Sequence, residues 1–286
     1  MSDGRGATAA VPSRRRTPQH GRLALGRTPF FACRADPRFA YCLYVPKGIA
    51  PAGRRPLLVV VHGDRRTAER YRDALADFGE SHGCVVLAPL FPVGVPGPDS
   101  VFGYKRLRQG DVRFDLVLLR MVEEVAARWP VEVERFYLHG FSGGGQFAFG
   151  FACLHPDRLA GLSVGAPGDL TRLDAALPWP AGIADLAERF GVTPRLDRLR
   201  SVPVHLTVGA HDTRPRGNPS RPTRLALART AHEHLLERGM TATLEVVPEI
   251  AHNGFAMLPA ATRFLGALLT PPAGSADRGP GRGFQA

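Results

Sequence analysis

The sequence predicts an α/β fold with a mostly parallel central sheet covered by helices on both faces. Three observations carry this expectation. The runs RPLLVVVHG (55–63), CVVLAP (84–89) and VPVHLTVGAHD (202–212) are continuously apolar over the length of one strand. Strands that pack helices on both faces read that way, because neither face meets water. Between residues 39 and 269 such runs alternate with stretches of helical spacing, the order expected of strand–helix–strand units. Finally, glycine or proline closes most of the segments, so each element has a stop.

In chain order, FAYCLYVP (39–46) reads as a strand rich in aromatic and β-branched residues. RPLLVVVHG is the central strand, and TAERYRDALADFGESHG (67–83) is a single amphipathic helix stopped by Gly83. CVVLAP is a short buried strand, followed by a long turn region over 91–110. The stretch 111–129 is helical, with Val112, Leu116, Leu119 and Val122 on one face. RFYLHG (135–140) is a strand, 142–156 a helix, 159–168 a strand, 202–212 another, 221–239 a helix, 241–248 a strand and 255–269 the last helix. No internal repeat is visible. Residues 1–20 and 271–286 are Pro-, Gly- and Arg-rich with little to bury, so both are expected to be flexible tails around a domain at 21–270.

The formal net charge is +11, but its distribution argues against a nucleic-acid surface. Residues 1–30 hold +5 and residues 271–286 hold +1, which leaves +5 on the 240 residues between them. No basic run interleaved with aromatics and no zinc-finger spacing is present. The N-terminus has arginines without an apolar block behind them, and no stretch approaches the roughly 18 apolar residues of a membrane span. The expected address is therefore the cytoplasm, with neither nucleic acid nor membrane as a partner. Cys33, Cys42, Cys84 and Cys153 are few and widely spaced in apolar contexts, and read as buried free thiols rather than as a Cys33–Cys42 hairpin bridge. No metal is expected, since the histidines lack paired ligand spacing, and no cofactor motif is present.

The chemistry is concentrated in FYLHGFSGGGQFAFG (136–150). A strand ending at Gly140 and a helix starting beside Ser142 require a sharp turn that pushes the hydroxyl outward. Glycines at 140, 143 and 144 remove the side chains that would collide there. This is the strand–turn–helix form of the G-x-S-x-G nucleophile elbow. A glycine-rich helix start with a capping serine is the plainer reading. A serine needs a base to accept its proton during attack. Two later strand ends offer the partners in the order acid, then histidine: VPVHLTVGAHD delivers Asp212, and TATLEVVPEIAHNGF delivers His252. Rivals are His211 for the base and Glu249 for the acid, while His155, His232 and His234 read as helix-end, packing or solvent-facing residues. An oxyanion would be met by the amides of Gly143 and of Asp64, which follows LLVVVHG. The Asp64 carboxylate must then turn away, toward Arg65 or Arg66, with His62 bracing the loop.

Taken together, GRRPLLVVVHGD, VEVERFYLHGFSGGGQFAFGFACLHPDRLAGLSVGAPG, VPVHLTVGAHD and AHNGF resemble the α/β-hydrolase superfamily. The resemblance is closest to its branch of polyhydroxybutyrate depolymerase-like and feruloyl-esterase-like serine esterases, and spans roughly residues 38–270. It implies hydrolysis of small-molecule carboxylic esters through an acyl-enzyme, with Ser142, His252 and Asp212 as triad and the Asp64 and Gly143 amides as oxyanion hole. This chain departs from that branch in having Gly143, Gly144, Gly145 and Gln146 after the serine, where alanine and two glycines are usual. A peptidase, thioesterase or acyltransferase on the same residues, or a non-catalytic binding member, are the alternatives. Residues 169–201, with Trp179 and Phe190, are expected to form a small cap over the substrate, with an extra helix packed away from the site as the alternative, and Tyr104 to flank the cleft from the loop 91–110. Lys105, Arg106 and Arg108 on that loop either meet a substrate carboxylate or are simply solvated.

Overall fold

The computed structural model describes residues 25–49, 53–215 and 218–270. The two expected tails lie outside the described residues. Within them a nine-stranded sheet runs in the order β1-β3-β5-β4-β8-β9-β10-β11, with β2 pairing β3. The first part is antiparallel: β1 (Gly26–Arg27) and β2 (Phe31–Ala32) flank β3 (Ala40–Val45), which pairs antiparallel with β5 (Val85–Leu90). From β5 onward all pairs are parallel, through β4 (Leu57–Val61), β8 (Phe136–Phe141), β9 (Leu159–Gly165), β10 (Val204–Gly209) and β11 (Ala242–Val247).

Alternate residues of each strand serve two cores. Leu57, Val59 and Val61 face one cluster, with Leu118, Met121 and Val125 of α3 (Phe114–Ala126) and Phe147 and Phe151 of α4 (Gly143–Leu154). Leu58 and Val60 face the other, with α1 (Ala68–Ala74), α2 (Ala76–His82) and α8 (Gly254–Leu269). Continuous apolar strands are thus the consequence of having no wet face. Because β5 and β8 lie on opposite sides of β4, the chain reverses its direction of travel across the sheet there. A crevice opens outside the strand ends at such a reversal.

Three expectations are corrected. The helix predicted over 67–83 is two helices meeting at Leu75, whose backbone leaves the helical region at φ −101° and ψ 6°. The apolar pattern runs through the break unchanged because Leu75 is itself buried. In α3 the buried face is Phe114, Leu118, Met121, Val122 and Val125, while Leu116 is 43% exposed. Val112 belongs instead to a short antiparallel pair, β6 (Arg108–Gln109) with β7 (Val112–Arg113). The stretch FDLVLLRMV holds two apolar stripes, and the pairing of buried Asp115 with Arg113 (2.7 Å) and His155 (2.8 Å) selects one of them.

Residues 169–201 do not roof the strand ends. Their two short helices, α5 (Leu186–Phe190) and α6 (Leu196–Arg200), pack with Leu173, Trp179 and Ile183 into the α3/α4 cluster. Trp179 donates from its indole to the Arg106 carbonyl (3.0 Å) and stacks edge-on with Phe190. The apolar content that suggested a cap is used in packing. The four cysteines are buried and unbridged.

Candidate active site

Three loops meet at the carboxyl ends of β8, β10 and β11. Ser142 sits in the turn from β8 into α4 with φ 56° and ψ −114°, a backbone conformation that costs on the order of 1–3 kcal/mol. The turn closes because its neighbours lack side chains. A Cβ on Gly140 would overlap the Gly144 carbonyl, and one on Gly144 would overlap the carbonyls of Val61 and His62. The Ser142 amide donates to Gly165 O on β9 (2.8 Å), which ties the strained residue to the sheet.

Asp212 follows β10, and its loop is drawn against the loop after β11. His211 N donates to Ile250 O (2.8 Å), and Gly209 approaches Ile250 so closely that a side chain there would strike its carbonyl. The following loop ends at Asn253, the N-cap of α8, whose side chain accepts from Phe255 N (3.1 Å) and Ala256 N (3.3 Å). That cap fixes the residue before it, His252.

The result is a hydrogen-bonded chain. His252 Nδ1 lies 2.6 Å from Asp212 Oδ2, and His252 Nε2 lies 3.0 Å from Ser142 Oγ. A carboxylate only accepts, so Nδ1 carries the proton and Nε2 is left to accept from the serine hydroxyl. Asp212 is buried, and its other oxygen lies 3.6 Å from Arg224 Nη1 at the start of α7 (Arg224–Glu237). Phe141 packs against the imidazole with ring centroids 4.7 Å apart.

The loop after β4 borders the serine. Val61 is in register with Gly140, and a Cβ on Gly63 would reach van der Waals contact with Ser142 Cβ. His62 is fully buried and braces this loop: Nδ1 donates to Gly63 O (2.8 Å) and Nε2 accepts from Phe91 N (3.0 Å). Burial pushes its pKa down to about 4, so it is neutral. The Asp64 carboxylate turns neither to Arg65 nor to Arg66. It pairs with Lys105 Nζ (2.8 Å) and accepts from Tyr104 Oη (3.2 Å). Lys105, expected at a substrate carboxylate or in solvent, thus meets a carboxylate of the protein itself. Arg66 instead hydrogen-bonds the Asp64 carbonyl (2.6 Å) and stacks over the Tyr104 ring. The amide of Gly143 is the first of α4, where helix amides lack intrahelical acceptors and the dipole is positive.

A cleft of about 530 Å³ opens over these groups. Its walls include Asp64, Ser142 and His252, together with Arg65, which the sequence suggested only as a partner for Asp64, and Arg70, Tyr71, Arg224 and Phe255, which the sequence did not place at the site. Asn253 alone carried a legible signal, as a capping residue ahead of an apolar run. The expected substrate contacts Tyr104, Trp179 and Phe190 do not line this cleft. Tyr104 is buried behind it, supporting Asp64. Trp179 packs against Gly150, eight residues into α4 from Ser142 and so about 12 Å along its axis. The rivals His211 and Glu249 are exposed and do not line the cleft, and the other histidines are engaged elsewhere: His155 bonds Asp115, His232 meets the Ala242 carbonyl (3.2 Å), and His234 accepts from Leu173 N (3.0 Å).

This arrangement of sheet, helices and loops is the α/β-hydrolase fold. No protein-family model matches the sequence, and no curated protein does. Among solved structures the chain is similar to poly(aspartic acid) hydrolase-1 from Sphingomonas sp. KT-1, with 22% identity over 80% of this chain and 93% of that one, at TM-score 0.66. It is also similar to a poly(3-hydroxybutyrate) depolymerase from Bordetella parapertussis, with 27% identity over 80% and 84% of the two chains, at TM-score 0.64. An S-formylglutathione hydrolase from Agrobacterium tumefaciens shares 16% identity over 81% and 89%, at TM-score 0.54. Hydrolases and esterases thus occupy the fold that this chain adopts.

Proposed function

We propose that the protein is a serine hydrolase that cleaves carboxylic esters of small molecules through an acyl-enzyme. The observation that carries this reading is the unbroken path from Asp212 through His252 to Ser142 Oγ, with contacts of 2.6 and 3.0 Å. Ser142 Oγ attacks the ester carbonyl carbon while His252 Nε2 takes its proton, and Asp212 favours the resulting imidazolium. The amides of Gly143 and Asp64 receive the oxyanion; such a donor is typically worth about 3 kcal/mol in the transition state. Collapse breaks the bond to the alcohol oxygen, which leaves with the proton from Nε2. Water then enters, gives its proton to His252 and attacks the acyl carbon, and Ser142 regains its proton as the acid departs.

The imidazole side chain is 30% exposed, so water reaches the position from which it must attack. Of the structural neighbours, the poly(3-hydroxybutyrate) depolymerase is named for a polyester and poly(aspartic acid) hydrolase-1 for a polyamide, so amide cleavage by the same three residues is the second reading. The unbridged thiols suit a reducing cytoplasm. The test is fluorophosphonate labelling combined with a panel of p-nitrophenyl esters, peptides and thioesters. Labelling of the wild type and its loss in Ser142→Ala and His252→Ala, with esters turned over fastest, is the expected result. Wild-type turnover by either variant would remove that residue from the mechanism.

A further inference from the structure

We infer that the ester this enzyme prefers carries a carboxylate, held by Arg65 and Arg70 at the mouth of the Ser142 cleft. The inference rests on the proposed hydrolase reading and adds the substrate's charge to it. Its basis is the balance of charge around one opening. Arg65, Arg70 and Arg224 all line the cleft, against a single acidic wall residue, Asp64. The Asp64 carboxylate is matched by Lys105 at 2.8 Å. Arg224 is turned inward, 3.6 Å from Asp212, and its charge is spent beneath the histidine.

Arg65 and Arg70 are different. Both are exposed, and among the described residues neither forms an ion pair. Arg70 is held over the Phe255 ring, 4.8 Å from its centroid, and Phe255 in turn stacks on Tyr71 at 4.6 Å. Stacking fixes the guanidinium plane while leaving its edge donors available, which is the geometry suited to bidentate recognition of a carboxylate. Arg65 directly follows Asp64, whose amide faces the reacting carbonyl in the proposed mechanism. A carboxylate within a few bonds of the ester therefore meets two guanidinium groups while the carbonyl sits at Ser142. The residues on the 91–110 loop do not serve this role. Arg106 and Arg108 line a separate surface hollow with Phe102 and Gln109, and Arg108 bonds the carbonyls of Gly110 and Arg189.

The test compares matched esters with the full-length protein. 4-Nitrophenyl hemiglutarate is set against 4-nitrophenyl valerate, which places the charge on the acyl side. 4-Acetoxybenzoate is set against its methyl ester, which places it on the alcohol side. The expected result is that at least one charged ester exceeds its neutral partner by about tenfold or more in kcat/KM at low ionic strength, the pair that does so giving the side. That ratio should fall toward one in Arg65→Gln/Arg70→Gln, through KM, and should also shrink as salt is added. Because each ratio is internal to one protein sample, a general loss of activity in the variant does not change it. Ratios near one for both pairs in the wild type, or a ratio unmoved in the double variant, overturn the inference and leave the hydrolase reading standing. Turnover of none of the four esters overturns both.

Discussion

Lowering the pH from 7 to 5 should destabilise this protein steeply, and the two fully buried imidazoles, His139 and His62, make a contribution whose size can be worked out; burial lowers the pKa of His205 and His234 as well, which adds to it. His139 on β8 is fully enclosed, with Nδ1 3.1 Å from Ser163 Oγ and no partner for Nε2. In the sheet it is in register with Ser163, and Ser163 with His205, which makes a polar row beneath the Phe264 ring of α8. Burial first, and then the neighbouring His205, push the His139 pKa down to about 4; burial does the same to His62. Both remain neutral in the folded state while the unfolded chain protonates them near 6.5. Their contribution is therefore fully present above pH 6.5 and is lost as the pH falls toward 4. A gap of about 2.5 pH units at 1.36 kcal/mol each amounts to about 3 kcal/mol per histidine when fully expressed. Between pH 7 and 5 the same linkage gives about 2 kcal/mol each, or on the order of 3–4 kcal/mol for the pair. Urea unfolding at half-unit steps of pH measures it. His139→Asn retains a group able to bond Ser163 but cannot titrate, so it should lower stability at neutral pH yet lose about 2 kcal/mol less than the wild type on acidification. A variant curve parallel to the wild-type curve between pH 7 and 5 would refute the reasoning.

Asp212→Asn should keep the fold but leave only a small residual kcat, because an amide can donate to Nδ1 and hold the imidazole in the tautomer that cannot accept the serine proton; kcat within tenfold of wild type would contradict this. Gly144→Ala drives a methyl into the carbonyls of Val61 and His62, so a loss on the order of 4 kcal/mol or more is expected in urea unfolding. Gly145→Ala meets only tight contacts, 3.1 Å from Gly165 O, and should cost clearly less; equal midpoints for the two variants would show that the elbow does not need the close approach.

That Ser142, His252 and Asp212 come into contact could be anticipated from the sequence, because each residue follows the end of an apolar strand, and strand ends are marked locally by glycine and polar residues. The clustering of glycines around Ser142 was also legible, since a strand passing directly into a helix permits little else. His62 could be read as a brace for the same reason, as it closes a strand that has no wet face. The break at Leu75 and the buried face of α3 were hidden, because apolar periodicity reports which residues could be covered and not what covers them. The cap failed on the same point: Trp179, Ile183 and Phe190 needed burial, and α4 supplied it along its flank.

What the sequence determined by itself is the main strands and long helices, their order and the three groups that the strand ends present. Local spacing encodes these through periods of two and 3.6 residues. Only the tertiary structure decided which distant side chains share the cleft. Arg65 from the turn after β4 and Arg70 from α1 meet Arg224 from α7 and Phe255 from α8 because the strand order places β4, β8, β10 and β11 with their carboxyl ends along one edge. It also decided that Asp64 is matched by Lys105, 41 residues away. Charge pairing across such separations follows from how the loops pack, and no local pattern in the chain records it.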